Sequence, residues 1–556
     1  MIALLIGLAS AQEPVVDALA AELLRTHTAL HLEDAPALYL TRYRLLSLDS
    51  YAASASMGHL VSERIGPDNT LGVELRLGAP EYDNTGFGGW ENGLGRASLN
   101  EELTPHTARL QAWRLSDRAY KEAVEQYARK RAQFEPPEDY PGDFTLAPPR
   151  VLSLGRAEAA QVEPLRALVR SLSEAMVTEP PLDRAEVYLG YEAGEEWLLD
   201  SAGSRVQLPH AELSVRAVAQ TRGPDGALLS DGELWSVRGP GDLPPVEELE
   251  ARGRALAEGL LAVAAAPALE DEYVGPVLFE EGAAVDLFRY LLVGQLEGTP
   301  GEVPFESWLG SMGQSKDPVR VLRRVLPDGW TVWDDPSLLP DHPGAFAVDA
   351  EGEPAQRVEL VEGGVVRDLL MSRVPRKGLS GSNGHARGVA GSRLEGRVSL
   401  LEVRPARHLG PARLHRQALR LAEPYGRDWY LVVRRLQEPA VRGAGRLDGG
   451  LEAGSLPPPV AVYRVHRDGS EALLRGAVFA GVQRWMLRDI AAAGEQVEAT
   501  WLAPLRGGRR WSAPGPVEGL PSWISAPEVL IREVELLPQQ GAQRELPAIP
   551  PPGTSR

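Results

Sequence analysis

Asp271-Glu-Tyr-Val-Gly-Pro-Val-Leu-Phe-Glu-Glu-Gly-Ala-Ala-Val-Asp-Leu-Phe-Arg-Tyr290 decides the reading of this chain. Pro276-Val-Leu-Phe279 is a short apolar run suited to a strand, and Ala283, Ala284, Leu287, Phe288 and Leu291 then recur at helical spacing. The pattern predicts a strand that runs straight into a buried helix, with Glu280 and Glu281 at the helix start. Acidic side chains are favoured there by the helix dipole and by the unpaired N–H groups of the first turn. The pair therefore has a structural reason to exist without any chemistry.

Two further stretches extend the pattern. Asp334-Asp-Pro-Ser-Leu-Leu-Pro-Asp-His-Pro-Gly-Ala-Phe-Ala-Val-Asp-Ala-Glu-Gly-Glu-Pro-Ala-Gln-Arg357 leads into Val358-Glu-Leu-Val-Glu-Gly-Gly-Val-Val366, an acidic loop followed by strand, turn and strand. Gly381-Ser-Asn-Gly-His-Ala-Arg387 follows as a glycine-rich loop. Taken in this order, the three segments resemble the TldD/PmbA family, once called modulators of DNA gyrase and regarded as metallopeptidases. Ser54-Ala-Ser-Met-Gly58, Val73-Glu-Leu-Arg-Leu-Gly78 and Asp83-Asn-Thr85 look like the amino-terminal sheet of an exported subgroup. Pro439-Ala-Val-Arg-Gly-Ala444, Arg475-Gly-Ala-Val-Phe-Ala-Gly481 and Ser525-Ala-Pro-Glu-Val-Leu530 resemble its later elements.

The resemblance implies a zinc site, because catalytic members carry His-Glu-x-x-x-His on the helix after the strand and a distant Cys. Here Glu280 and Glu281 stand in place of His-Glu, and Val285 stands in place of the second His. Zinc affinity comes mainly from imidazole and thiolate ligands. Val285 can bind nothing and the chain has no cysteine. Glu280 and Glu281 are thus degenerate ligand and base positions. No cofactor is expected, with zinc only under an alternative in which Glu280, Glu281 and a histidine such as His342 or His385 form a diverged site.

Other motifs are weaker. His27-Thr-Ala-Leu-His31 puts two imidazoles on one helical face, but no Glu follows the first His, and Leu19, Leu23, Leu24 and Leu30 read as a core stripe beside them. Gly378-Leu-Ser-Gly-Ser-Asn-Gly384 lacks the strand-to-helix context of a nucleophile elbow and reads as a turn. Gly86-Phe-Gly-Gly-Trp-Glu-Asn-Gly93 fails the dinucleotide pattern and reads as a surface loop. Asp334, Asp335 and Asp341 lack the spacing of a calcium loop and read as solvated loop charges.

Composition narrows the classes. A chain of 556 residues exceeds one ordinary core, so two domains of about 250 residues are expected. With 58 basic and 77 acidic side chains the formal charge is −19, which repels phosphate backbones, and no basic stripe appears. No nucleic-acid partner is expected. Met1-Ile-Ala-Leu-Leu-Ile-Gly-Leu-Ala-Ser-Ala11 ends in the small-x-small pattern of a signal-peptide cleavage site, with Gln12-Glu-Pro14 as the mature start. A buried amino-terminal helix is the other reading of this run. No other run reaches the roughly 18 apolar residues that span a bilayer.

Periodicity predicts helices over Val15–Leu32, Ser116–Phe134, Glu158–Met176, Val246–Ala265 and Gln483–Ala492. Strands are predicted over Ala37–Leu46, Gly72–Leu77, Ala185–Leu189, Glu196–Leu199 and Ser214–Gln220. The expected fold is α+β with two domains, an N-terminal antiparallel sheet with helices and a C-terminal β-rich TldD/PmbA-type domain. The boundaries are 1–11 signal peptide, 12–266 first domain, 267–545 second domain and 546–556 a disordered Pro-rich tail.

Residues and resemblance together point to a TldD/PmbA-family metallopeptidase homologue that lacks the zinc motif, a non-catalytic peptide-binding or partner subunit of a proteolytic complex. The resemblance implies a homodimer, or a heterodimer with a zinc-bearing TldD-like paralogue. Two alternatives are a diverged active metallopeptidase and an envelope interaction protein without peptide binding. The expected location is periplasmic or secreted from a bacterium, and cytoplasmic if the N-terminal segment is no signal.

Overall fold

The computed structural model describes residues 13–88, 93–99, 102–302, 320–379, 381–437, 456–482, 484–503 and 519–539. The expected signal peptide, the Pro-rich tail and Pro439–Ala444 lie outside the described residues.

The chain enters through helix α1 (Glu13–Ala29), whose Val15, Val16, Leu19 and Leu23 are buried at helical spacing. It continues into a long hairpin of β1 (Leu38–Ser56) and β2 (His59–Ala79), closed by Met57 and Gly58, both at positive φ, as a two-residue hairpin turn requires. Short strands β3 (Tyr82–Asp83) and β4 (Leu94–Ser98) add to the outer edge of β2. Helix α2 (Pro105–Gln133) begins eleven residues before the predicted Ser116, because Thr104 and Thr107 form a reciprocal cap and Pro105 occupies the first turn.

After β5 (Val151–Ser153), helix α3 (Val162–Ala175) buries Leu165, Leu168, Val169 and Leu172. The two predicted strands at 185–189 and 196–199 are one strand, β6 (Arg184–Asp200), followed by β7 (Arg205–Arg222) and β8 (Leu228–Val237). Helix α4 (Val246–Ala265) closes this half. The path of the sheet is β3-β2-β1-β6-β7-β5, with β4 on β2 and β8 on β7, antiparallel except where β5 joins β7.

Alternation along β1 sorts the layers. Tyr43 and Leu45 belong to the core under α1 and α2, and Tyr51, Ala53 and Ala55 to the core under α3 and α4. All four helices cover one face, so Arg42, Arg44, Glu74 and Arg76 stand on the other. That polar face meets the second domain. Arg44 Nη1 donates to Gly388 O at 3.1 Å, Arg150 Nε to Gly352 O at 2.8 Å, and the Thr145 amide to Arg373 O at 2.8 Å. Gly72 lies so close to the loop that an added Cβ would stand 2.1 Å from the Gly391 nitrogen.

The second sheet begins with β9 (Tyr273–Phe279), which runs into helix α5 (Glu281–Phe288), a π turn (Arg289–Val293) and the short α6 (Gly294–Leu296). Its further strands are β10 (Thr331–Asp334), β11 (Val358–Glu362), β12 (Val365–Val366) and β15 (Leu400–Arg404). Between the last two, β13 (Ala386–Arg387) and β14 (Glu395–Gly396) pair by themselves. Helix α7 (Pro411–Ala422) precedes β16 (Trp429–Leu436), β17 (Pro459–His466), β18 (Glu471–Leu474), β19 (Ala477–Ala480), β20 (Ile490–Ala503) and β21 (Leu520–Pro538).

The order is β12-β11-β10-β15-β21-β9-β16-β17-β18, with β19 and β20 also on β21. The sheet is mixed, since β15 runs parallel to β21 and β16 parallel to β9. The helix predicted over 483–492 is absent: Arg484–Asp489 form a 3₁₀ turn and β20 starts at Ile490. The ladder from β20 to β21 outweighs the helical preference of the alanines at 491–493. Overall the fold is α+β in two domains. No helix among the described residues is long and apolar enough to cross a membrane.

Candidate functional site

The corner between β9 and α5 is built by register. β16 runs parallel to β9 with Val433 opposite Phe279, and the Glu280 amide donates to Val433 O at 3.0 Å. The next residue on each strand is therefore Glu280 on one side and Arg434 on the other. Glu280 is the N-cap of α5, and Glu281 turns the chain at φ +47°, a left-handed conformation that side chains other than glycine rarely adopt.

Arg434 is the hub of the corner. Its Nε donates to Glu280 Oε2 at 2.9 Å, and its Nη1 and Nη2 donate to Glu471 at 2.8 and 2.7 Å. The guanidinium lies 4.3 Å from the centre of the Tyr463 ring. Glu281 Oε1 is 3.9 Å from Arg434 Nε and its side chain is exposed. Hydrogen bonding to Glu471, then to Glu280, holds the Arg434 proton more tightly than usual, against the effect of burial.

Two carboxylates of the corner, Glu280 and Glu528, are shifted upward. Burial raises Glu280, with Arg434 opposing and Glu471 and Glu281 adding repulsion. Glu528 on β21 is pushed up to about 7 by burial and by the charges of Glu280 and Glu495, although the amides of Glu495 and Glu281 donate to it. Tyr430 is raised by burial and by Glu280 and Glu471, and its hydroxyl sits 3.1 Å from His415 Nδ1.

The residues do not fit the zinc ion that the family resemblance implies. Glu280 is already bonded to a guanidinium. Val285 is 2% exposed within the main apolar cluster of the second domain, beside Ala283, Ala284, Leu287 and Phe288. Among the described residues, no group of three His, Cys, Asp or Glu is placed to hold a metal ion.

The other sequence candidates fall apart in space. His27 bonds to Thr41 Oγ1 at 3.1 Å, while α1 ends at Ala29, so the exposed His31 does not share a helical face with it. His342 bonds through Nε2 to Thr500 Oγ1 at 3.1 Å and accepts the Gly344 amide at Nδ1; burial, then Arg387 and Arg238, lower it to about 4.

Asp334 is no solvated loop charge. It is fully buried, with Oδ1 3.0 Å from His385 Nε2 and Oδ2 accepting the Ser399 amide at 2.9 Å. His385 Nδ1 faces Asn383 O at 3.0 Å, so both ring nitrogens are engaged. Asp335 instead ties a turn through Ser337, and Asp341 is exposed. In the 378–384 segment, Asn383 pins the turn by bonding the Met371 amide and Leu369 O, both at 2.8 Å. Of the 86–93 loop, Gly86, Gly88 and Gly93 are described and adopt positive φ, while 89–92 lie outside the described residues.

Arg434, Glu471 and Glu528 escaped the reading of the sequence. Arg434 lies 37 residues from Glu471 and 154 from Glu280, Glu528 is farther still from Glu280, and the only local sign is a pair of arginines ending an apolar run, Leu431-Val-Val-Arg434-Arg435.

Residues 272–417 match the family model described as the PmbA/TldA metallopeptidase C-terminal domain. No curated protein sequence matches the chain. Among solved structures, a protein of Thermotoga maritima named as a candidate modulator of a DNA gyrase shares 16% identity and superposes with a TM-score of 0.55, covering 89% of this chain and 96% of its own. TldE from Thermococcus kodakarensis shares 14% identity with a TM-score of 0.54, over 94% of this chain and 100% of its own. A candidate modulator of DNA gyrase from Bacteroides thetaiotaomicron gives 14% identity, a TM-score of 0.53, and coverage of 94% and 98%. At these identities the likeness is one of fold.

Proposed function

Through its C-terminal domain this chain belongs to the TldD/PmbA family, and from there we propose that it is a zinc-less, non-catalytic member, a peptide-binding or partner subunit of a proteolytic complex. The observation that carries the proposal is the corner after β9. There the Arg434 guanidinium holds Glu280 at 2.9 Å and the next family ligand position is Val285, packed in the apolar core. At this helix start the Glu280 carboxylate is already engaged by an internal cation, and a metal ligand must instead offer free lone pairs.

In the family that the sequence resembles, a zinc-bearing chain pairs with a homologue that lacks zinc, and this chain has the residues of the second kind. A homodimer, or a heterodimer with a zinc-bearing paralogue, is therefore part of the proposal. Export to the periplasm is another part. The small-x-small pattern of Ala9-Ser-Ala11 supports it.

Metal analysis of purified protein tests the central claim, with less than about 0.1 zinc per chain expected for a site without its imidazole ligands. Stoichiometric zinc, lost together with peptidase activity in Glu281→Gln, would overturn it. Co-purification from the native cell tests the partner. Recovery of a chain with intact His-Glu-x-x-x-His supports a heteromeric complex, and its reproducible absence in favour of other envelope proteins removes the proteolytic role.

A further inference from the structure

The two domains meet over buried charge. On the polar face of the first sheet, Arg42 Nη1 donates to Glu74 Oε2 at 2.8 Å, Arg76 Nε to Glu74 Oε1 at 2.6 Å, and Arg76 Nη1 to Asp83 Oδ2 at 2.9 Å. The second domain faces them with the turn Asp349-Ala-Glu351-Gly-Glu353 and with Arg373. Glu351 Oε2 accepts the Arg373 amide at 2.6 Å, and its Oε1 stands 3.7 Å from Arg42 Nη1, beyond hydrogen-bond length. The side chains of Glu351 and Arg42 are 2% and 1% exposed.

Charge does not balance here. Glu74, Asp83, Asp349, Glu351 and Glu353 face Arg42, Arg76 and Arg373, and Asp200 at the end of β6 adds a further acid that acts on Arg42. An unbalanced negative charge shut away from water is costly, and a proton on one carboxylate is the simplest relief.

Geometry selects which one. Glu74 is bracketed by Arg42 and Arg76, which hold it down to about 2 although burial alone would raise it. Asp83 takes donors from Arg76, Tyr39 and Thr85. Asp349 takes the amides of Glu351, Glu353 and Ala386, each at 2.9 Å. Glu353 takes two bonds from Arg373. Glu351 has one amide and no guanidinium in bonding range.

We propose that Glu351 is a proton-operated latch between the two domains, closed while its carboxyl is neutral and loosened when it ionises. Burial, with Asp349 and Glu74 adding, pushes Glu351 up to about 7 against the pull of Arg42 and Arg373. Burial raises Asp349 as well, and its three amide donors oppose that rise. The folded chain therefore holds this proton more tightly than an unfolded one, whose carboxyl titrates near 4.5. The stabilisation is complete below about pH 4.5 and is lost as pH rises through about 7.

Hydrogen exchange on the full chain reads the latch directly, at two amides that cross or anchor the joint: Thr145, which donates to Arg373 O, and Arg373, which donates to Glu351. After correction for intrinsic exchange, protection at both is expected to fall about tenfold between pH 5.5 and pH 8, the equivalent of one pKa unit of linkage. In Glu351→Gln, which mimics the neutral carboxyl, protection is expected to be high and flat across that range. Glu74→Gln supplies a second arm should the first variant fold poorly: freeing Arg42 for Glu351 moves the wild-type transition to lower pH. Flat protection in the wild type, or a transition that is unchanged in either variant, overturns the proposal.

Discussion

Replacing Arg434 by Met removes the cation at the start of α5 and keeps a long apolar stem. The guanidinium and Glu280 side chains are each 22% exposed, and Glu471 is 36% exposed. A hydrogen bond to a charged group is worth about 1.5–3 kcal/mol when shielded, and an exposed ion pair about 0–1 kcal/mol. The Glu280 contact belongs near the lower end of the first range, about 1.5 kcal/mol, and the Glu471 contacts in the second. The position over Tyr463 adds about 0.5 kcal/mol, part of which the Met stem retains. The variant should lose about 2–3 kcal/mol, which for a domain of this size lowers the melting temperature by about 5–10 °C at pH 7.5.

The loss should also depend on pH. Burial raises Glu280 and Arg434 opposes that rise, so without Arg434 the carboxyl climbs further and acid neutralises it more readily. Near pH 4.5 the gap between wild type and variant should shrink to less than about half, since most of the stranded charge is gone. Thermal melts at the two pH values decide the matter. A gap below about 0.5 kcal/mol at pH 7.5, or one that is as large at pH 4.5, would show that Arg434 does not carry the corner.

Glu281→Gly should stabilise the chain by about 1 kcal/mol, because φ +47° strains any side chain and the Glu281 carboxylate is exposed; a drop in the melting temperature refutes the strain. Asp334→Asn should cost about 1–3 kcal/mol, since an amide NH2 cannot accept both the Ser399 amide and the His385 contact that the two carboxylate oxygens take, and denaturant titration will show it as a lower midpoint at unchanged slope. Val285→His restores a family ligand type but places an imidazole in an apolar core, and a loss of about 2–4 kcal/mol is expected without tight zinc uptake; zinc binding with restored stability would contradict the reading of this helix.

What the sequence revealed depended on how local the cause was. The run from Pro276 to Leu291 announced a strand and a helix because its apolar spacing changes within sixteen residues, and Val246–Ala265 carried its own helical period from end to end. Gly363 and Gly364, both at positive φ, marked the turn between β11 and β12 in the same way. The site was half legible. The acidic helix start at Glu280 and the apolar stripe that contains Val285 could be read, but the guanidinium that occupies the corner could not, because Arg434 reaches Glu280 only through the register of two parallel strands. Asp334 looked like one of several loop acids for the same reason, its partner His385 lying 51 residues away. The 483–492 segment was misread as a helix where a ladder partner decided the outcome.

The central place of β21 sets an order of events for the newborn chain. β9 is made early in the second domain, yet its antiparallel neighbour spans Leu520–Pro538, about 240 residues later, and β15, β19 and β20 wait for the same strand. Until that strand leaves the ribosome, no stable second domain can form, and the apolar helix after β9 stays uncovered. Chaperone attention is therefore built into the topology. A polypeptide that cannot finish folding until late in its synthesis also keeps its apolar segments open to wrong partners for longer.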